Sequence, residues 1–233
     1  MIKIGQFMLF FYVISSLINI WSAFNRIEFL FVITKPLLML SLLGVYITNS
    51  VVVLIQVVLA LLFAWLGDMF LLYRSKREKK GVSPLQLSCL LTLAGIAFSS
   101  CHLLYVLTFI LLRNPHNNGG TLSITGLVYI IIGIFLYISL IRGFSGLDVY
   151  LKIGLKIYTF FILMMSFSST FIIDINQLYT LFPFIGSWLF IFSDYLLAYG
   201  YKHNSSSTYH PWVMLSYLTA QFLIIAGLLL LRI

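Results

Sequence analysis

Charge is scarce in this sequence. Only 9% of its 233 residues are Asp, Glu, Lys or Arg, against about a quarter in an ordinary soluble domain, so a water-solvated globular surface is excluded. Histidine is nearly as rare: of the four, His116, His203 and His210 fall in stretches read as loops, leaving His102 alone inside an apolar run. A histidine-rich hydrolytic zinc centre therefore lacks ligands, and neither a metal nor another cofactor is expected. The two cysteines, Cys89 and Cys101, lie twelve positions apart in one apolar run. That is about 18 Å along a helix, too far for a disulfide. No serine stands in a nucleophile-elbow context and no glycine-rich loop could cradle a phosphate.

What the sequence has in abundance is apolar length. It is 61% hydrophobic with a mean hydropathy of +1.07, and a span needs about 20 apolar residues. The expected fold is all-α: one polytopic integral membrane bundle of eight transmembrane helices over residues 1–233, with no separate soluble domain. The run at 5–24 follows a single Lys3 and is longer than a signal-peptide core, so it is read as the first span. The second covers about 29–47, and Thr48-Asn49-Ser50 turns into the third, 51–73. After the basic run 74–81, Ser83-Pro84 starts the fourth, 85–112. The stretch 113–120 is a loop by every turn signal. A fifth span runs from about Leu122 to Ile141, and a basic connection, 142–156, leads into a sixth that ends near Ile173. Asp174 to Gln177 turn into the seventh, to about Tyr199. Residues 202–210 form a polar loop before the eighth, 211–231.

The net charge of +8 flanks these runs and speaks for topology, not for nucleic acid. Lys3, Arg113 and Arg232 lie on the face that holds both termini and ten basic residues lie on the other. The positive-inside rule then puts both termini outside a cytoplasmic membrane, taken to be bacterial. The partners expected are membrane lipids, and no signal of oligomeric state is present.

Against this background a few polar residues stand out. Asp194, in the seventh run, and Asp68, in the third, are carboxylates at membrane depth, where an ionisable side chain is disfavoured by roughly 2.5–3.5 kcal/mol and normally marks a pathway or reactive site. Lys35 joins them from the second run. Counted from the helix ends on the basic face, Lys35 and Asp68 sit about 9 and 8 Å deep, Asp194 is five residues in, and Tyr217 and Gln221 enter at about 9 and 15 Å on one helix face. His102 and Tyr105 face together from the fourth run, nearer the middle. The buried charges sum to −1, so either His102 carries a proton or one carboxyl keeps its own. Two carboxyls in different protonation states are equipment for general acid and general base work. The bland alternatives are a snorkelling Lys35, a purely structural Lys35–Asp68 pair, and interhelical hydrogen bonds for His102, Tyr105, Tyr217 and Gln221. Gly67 is read as a close approach for a backbone or ligand. Gly186 is read as close packing and Pro183 as a loosening of its helix. A proton-coupled transporter or lipid-handling protein would use the same charges, although no inverted repeat is visible.

Five segments carry a resemblance across nearly the whole chain. Lys35-Pro36, Gly67-Asp68, the stretch from Phe98 to Tyr105, the Gly186 to Ala198 segment with its Ser193-Asp194, and Tyr217 to Gln221 resemble, in order, the bacterial YhhN and vertebrate transmembrane protein 86 family, the lysoplasmalogenases. Where that family has paired tyrosines, this chain has Tyr217 followed by Leu218. The resemblance implies hydrolysis of the vinyl-ether bond of lysoplasmalogen to a fatty aldehyde and glycerophospho-ethanolamine or -choline. That chemistry suits the polar cluster, with Asp68 and Asp194 as the catalytic acid and base, in either order, and it requires no metal. Lys35 would tune a carboxylate or meet the lipid phosphate. His102, Tyr105, Ser193, Tyr217 and Gln221 would complete the substrate site.

Overall fold

A computed structural model describes residues 2–78, 81–113, 126–135, 149–174, 176–202 and 206–231. Among them there is no strand, and eight α-helices follow one another: α1 (Ile2–Phe24), α2 (Glu28–Asn49), α3 (Ile55–Glu78), α4 (Pro84–Leu111), α5 (Gly126–Phe135), α6 (Val149–Ser169), α7 (Leu181–Lys202) and α8 (Ser206–Leu230). All but α5 are long and apolar enough to cross a membrane. The eight expected runs thus each contain a helix. The expected ends of the fifth span, the loop at 114–120, residues 142–148 and residues 203–205 lie outside the described residues.

The helices extend further than the hydropathy suggests. Thr48 and Asn49 are still helical, and the turn into α3 is Ser50–Leu54. The basic run does not begin a loop, because α3 carries Arg74, Lys76 and Arg77 to Glu78, with Arg74 and Glu78 paired at 3.4 Å one turn apart. Lys152 and Lys156 belong to α6, and α8 begins at Ser206, so His210 and Pro211 are helical. Long cationic side chains at helix ends reach the interface while their backbone stays in the helix, so charge marks a helix end several residues too early. Ser83-Pro84 does open α4, with the proline in the first turn, where its missing N–H costs nothing. The turn at Asp174 is closed by Asn176 N–H donating to Asp174 Oδ1 at 3.0 Å.

Neighbours in sequence pack as neighbours in space: α1 on α2, α2 on α3, α3 on α4, α4 on α6, α6 on α7, α7 on α8, and α8 back on α1. α5 joins α6 and α7 through Tyr129, whose hydroxyl is 2.7 Å from Ser166 Oγ and whose ring packs on Trp188. The closing contact is marked by Tyr12 of α1, which donates to the Leu218 carbonyl of α8 at 3.0 Å. α8 is the central helix: 61% of its most apolar window is buried, against 28–44% for the other six spans. It comes close to α7 because Gly186 has no Cβ; one added there would stand 2.8 Å from the Ala220 carbonyl oxygen. Pro183 sits in the first turn of α7, where no intrahelical bond is lost, so it does not loosen the helix. Between α1 and α2, Arg26 takes the left-handed conformation (φ 57°) and Ile27 N–H donates to the Ser22 carbonyl at 2.9 Å. That is the position a glycine normally fills after a helix, and a side chain there costs about 1–2 kcal/mol.

Candidate active site

Pro36 and Trp65 set α2 against α3. The Trp65 indole N–H donates to the Pro36 carbonyl at 3.0 Å, and with that register Lys35 Nζ lies 3.4 Å from Asp68 Oδ1. Both residues are buried, at 5% and 3% exposure, so Lys35 does not snorkel. The other Asp68 oxygen, Oδ2, accepts the Tyr217 hydroxyl of α8 at 3.0 Å. The lysine ammonium also lies 5.4 Å from the centre of the Phe31 ring, a favourable cation–π distance. Gly67 admits neither backbone nor ligand. It admits the Phe98 ring, which would lie 2.7–2.8 Å from an added Cβ.

Asp194 is set differently. It is half-buried on α7, and among the described residues no cation lies within 4.0 Å of it. Its Oδ2 is 2.5 Å from the Tyr158 hydroxyl of α6, and that hydroxyl is 3.2 Å from His102 Nε2 on α4. The far side of the imidazole, Nδ1, faces Met165 Sδ at 3.3 Å. A thioether has no hydrogen to donate, so Nδ1 carries a proton in this contact, and when the ring is neutral Nε2 is left as an acceptor. The single Tyr158 proton serves either His102 or Asp194. The remaining contact closes only if Asp194 or His102 brings one further proton. The triad Asp194–Tyr158–His102 therefore has room for one mobile proton.

The two carboxylates are joined by aromatic packing. Tyr217 meets Phe190 edge to face at 5.2 Å and Phe98 at 6.2 Å, and Phe190 meets the His102 ring at 4.8 Å. An unbroken path of contacts thus runs from Asp68 through Tyr217, Phe190, His102 and Tyr158 to Asp194. Lys35, Asp68, Tyr158, Ser193, Asp194 and Tyr217 line one cavity of about 1630 Å³, with Phe98 and Phe190 as its apolar wall. That volume exceeds the roughly 300–1,000 Å³ of an ordinary small-molecule pocket.

Of the residues expected from sequence, Lys35, Asp68, Ser193, Asp194 and Tyr217 reach this cavity; Ser193 does so with its hydroxyl donated to the Phe190 carbonyl at 3.0 Å. His102, Tyr105 and Gln221 do not line it. His102 stands one layer behind, touching the site through Tyr158. Tyr105 and Gln221 are fully buried and bonded to each other, hydroxyl to Oε1, at 2.9 Å. Sequence reasoning passed over two residues that do line it, Tyr158 and His210. His210, expected in a loop, is half-buried in α8 with its ring 4.8 Å from Phe31. Among the described residues no group of three or more His, Cys, Asp or Glu side chains is placed to hold a metal ion.

A sequence model of the YhhN family matches residues 30–228, most of the chain, including every residue of the site. No curated protein and no solved structure gives a significant match.

Proposed function

The chain belongs to the YhhN family, and from that premise we propose that it is a membrane-embedded hydrolase that cleaves the vinyl-ether bond of lysoplasmalogen. One observation supports this above the others: Asp68 and Asp194 line the same cavity in opposite electrostatic settings. A vinyl ether is cleaved by protonation of its alkene carbon, which needs an acid, a base for water and negative charge beside the cation formed. Asp68, held between an ammonium and a phenol donor, is the carboxylate that stays ionised. Asp194, with no cation within 4.0 Å among the described residues and at the end of a chain that has room for one more proton, is the acid.

The reaction then runs in three steps. Asp194 gives its proton to the outer alkene carbon, and the ether oxygen shares its lone pair to form an oxocarbenium ion beside the new Asp194 carboxylate. Water adds to that cation and yields its proton to Asp68. The hemiacetal collapses: the bond to the glycerol oxygen breaks, that oxygen leaves with the proton held by Asp68, the hydroxyl proton passes to the Asp194 carboxylate as the aldehyde carbonyl forms, and both carboxyls return to their starting states. Vinyl ether and water become aldehyde and alcohol, with no covalent enzyme intermediate. Phe98 and Phe190 provide an apolar wall for the single hydrocarbon chain. The test is to incubate the purified protein in detergent with lysoplasmalogen and trap the aldehyde. Release in proportion to protein is expected. Movement of lipid or protons without aldehyde would assign the cavity to transport instead.

A further inference from the structure

We propose that the outer end of the cavity is a phosphate subsite, in which Arg26 and Arg74 receive the phosphate diester of a single-chain glycerophospholipid. This rests on the reading above and extends it from the bond that is cleaved to the head group that is held. Among the described residues the cations on the cavity wall are Lys35, Arg26, Arg74 and Lys76. Lys35 is paired with Asp68 at 3.4 Å with both partners buried, whereas the Arg74–Glu78 pair at the same distance has an exposed carboxylate partner and is the weaker competitor for an incoming phosphate, so the phosphate is met further out. Arg26 lies in the α1–α2 turn and Arg74 and Lys76 lie in the last turns of α3, at the helix ends that surround the cavity mouth.

The spacing fits the ligand. Asp68 and Arg74 are six residues apart on α3, about 9 Å along the axis. In a lysoplasmalogen the vinyl carbon and the phosphorus are separated by a glycerol unit of about 7 Å. A chain with its vinyl ether at Asp68 and Asp194 thus brings its phosphate to the level of Arg74. The guanidinium there is already turned inward: its side chain is 12% exposed, while its partner Glu78, 3.4 Å away, is 54% exposed. A planar guanidinium grips two phosphate oxygens at once. Arg26 supplies an independent indication. A glycine would close its turn without strain, yet an arginine holds the left-handed backbone (φ 57°) and lines the mouth, the kind of local strain that gathers at binding sites. Glu28 and Glu78 line the same end, a charge pattern that suits a zwitterionic head with an ammonium beyond the phosphate.

The test measures binding, not turnover. A fluorescent lysophosphatidylethanolamine, an ester that lacks the vinyl ether, is titrated onto the detergent-solubilised full chain and displaced by monoacylglycerol of the same chain length or by inorganic phosphate. Arg26→Gly, which removes the side chain and the backbone strain together, should fold as well as the parent and bind the phospholipid roughly tenfold more weakly. Arg74→Gln should do the same, with monoacylglycerol affinity unchanged in both. Unchanged phospholipid affinity, or equal losses for both lipids, would overturn the subsite and leave the cations as topology determinants. Displacement of the lipid by inorganic phosphate alone would overturn the head-group assignment in favour of a free phosphate. Because the ester is not the substrate, these results stand apart from aldehyde release: a chain that binds as described but yields no aldehyde would refute only the hydrolase reading.

Discussion

Lys35 Nζ stands 3.4 Å from Asp68 Oδ1 with both side chains shut away from solvent, and the pair ties α2 to α3 next to the cavity. Removing one partner of such a pair leaves a buried charge alone, at a cost of about 3–5 kcal/mol, whereas replacing both is far milder. Lys35→Met should therefore lower the thermal unfolding midpoint in detergent markedly. Lys35→Met combined with Asp68→Asn should recover most of that loss and remain inactive. Equal destabilisation by the single and double variants would show that the pair is not coupled.

The glycines offer a graded test of the packing. An added Cβ at Gly67 meets the edge of the Phe98 ring, but at Gly186 it meets the backbone oxygen of Ala220. A side chain can give way and a backbone cannot, so Gly67→Ala should cost about 1–3 kcal/mol. Adding Phe98→Leu should restore part of it. Gly186→Ala should cost more and resist rescue by any neighbouring side-chain truncation. The comparison is read from unfolding midpoints of the purified variants.

These contacts show what a linear reading reaches. Lys35, Asp68, Asp194 and Tyr217 were legible because charge and hydroxyl groups inside apolar runs are conspicuous and because depth, counted from helix ends, brings them to one level. Tyr158 was not legible. With Lys152 and Lys156 read as part of a connection, Tyr158 falls at the very start of the sixth helix. Only with α6 beginning at Val149 does it lie deep enough to meet Asp194 and His102. The same error of a few residues put His210 in a loop. Depth alone also could not separate the cavity wall from the layer behind it, which is why Tyr105 and Gln221 looked like site residues. That distinction depends on the rotation of each helix about its axis, which a buried bundle hides when polar groups bond to one another.

Tyr158 carries its own prediction. Tyr158→Phe keeps the ring and deletes the hydroxyl between Asp194 and His102, which isolates the acid from the rest of the triad. Turnover should fall roughly 10²-fold, within the range for a disturbed general acid, with KM little changed. A loss confined to KM would make Tyr158 a substrate contact instead.

The pH and metal dependence follow from the two carboxyl roles. Turnover should follow a bell-shaped pH profile, falling on the alkaline side as Asp194 loses its proton and on the acid side as Asp68 gains one. Strong chelators should leave it intact. Loss on chelation that added zinc restores would replace the paired-carboxylate account with a metal site around His102, Asp68 and Asp194.

The central claim is that Asp68 and Asp194 together carry out the hydrolysis, and the aldehyde assay on Asp68→Asn and Asp194→Asn tests it most directly. Each variant is to be purified in detergent, checked for a cooperative unfolding transition, and given lysoplasmalogen at saturating concentration. The account predicts that both stay folded, Asp68→Asn with a lowered unfolding midpoint because it leaves Lys35 unpaired, and that each loses at least about 10²-fold in aldehyde release relative to the parent chain. Near-parental release by either folded variant would contradict it.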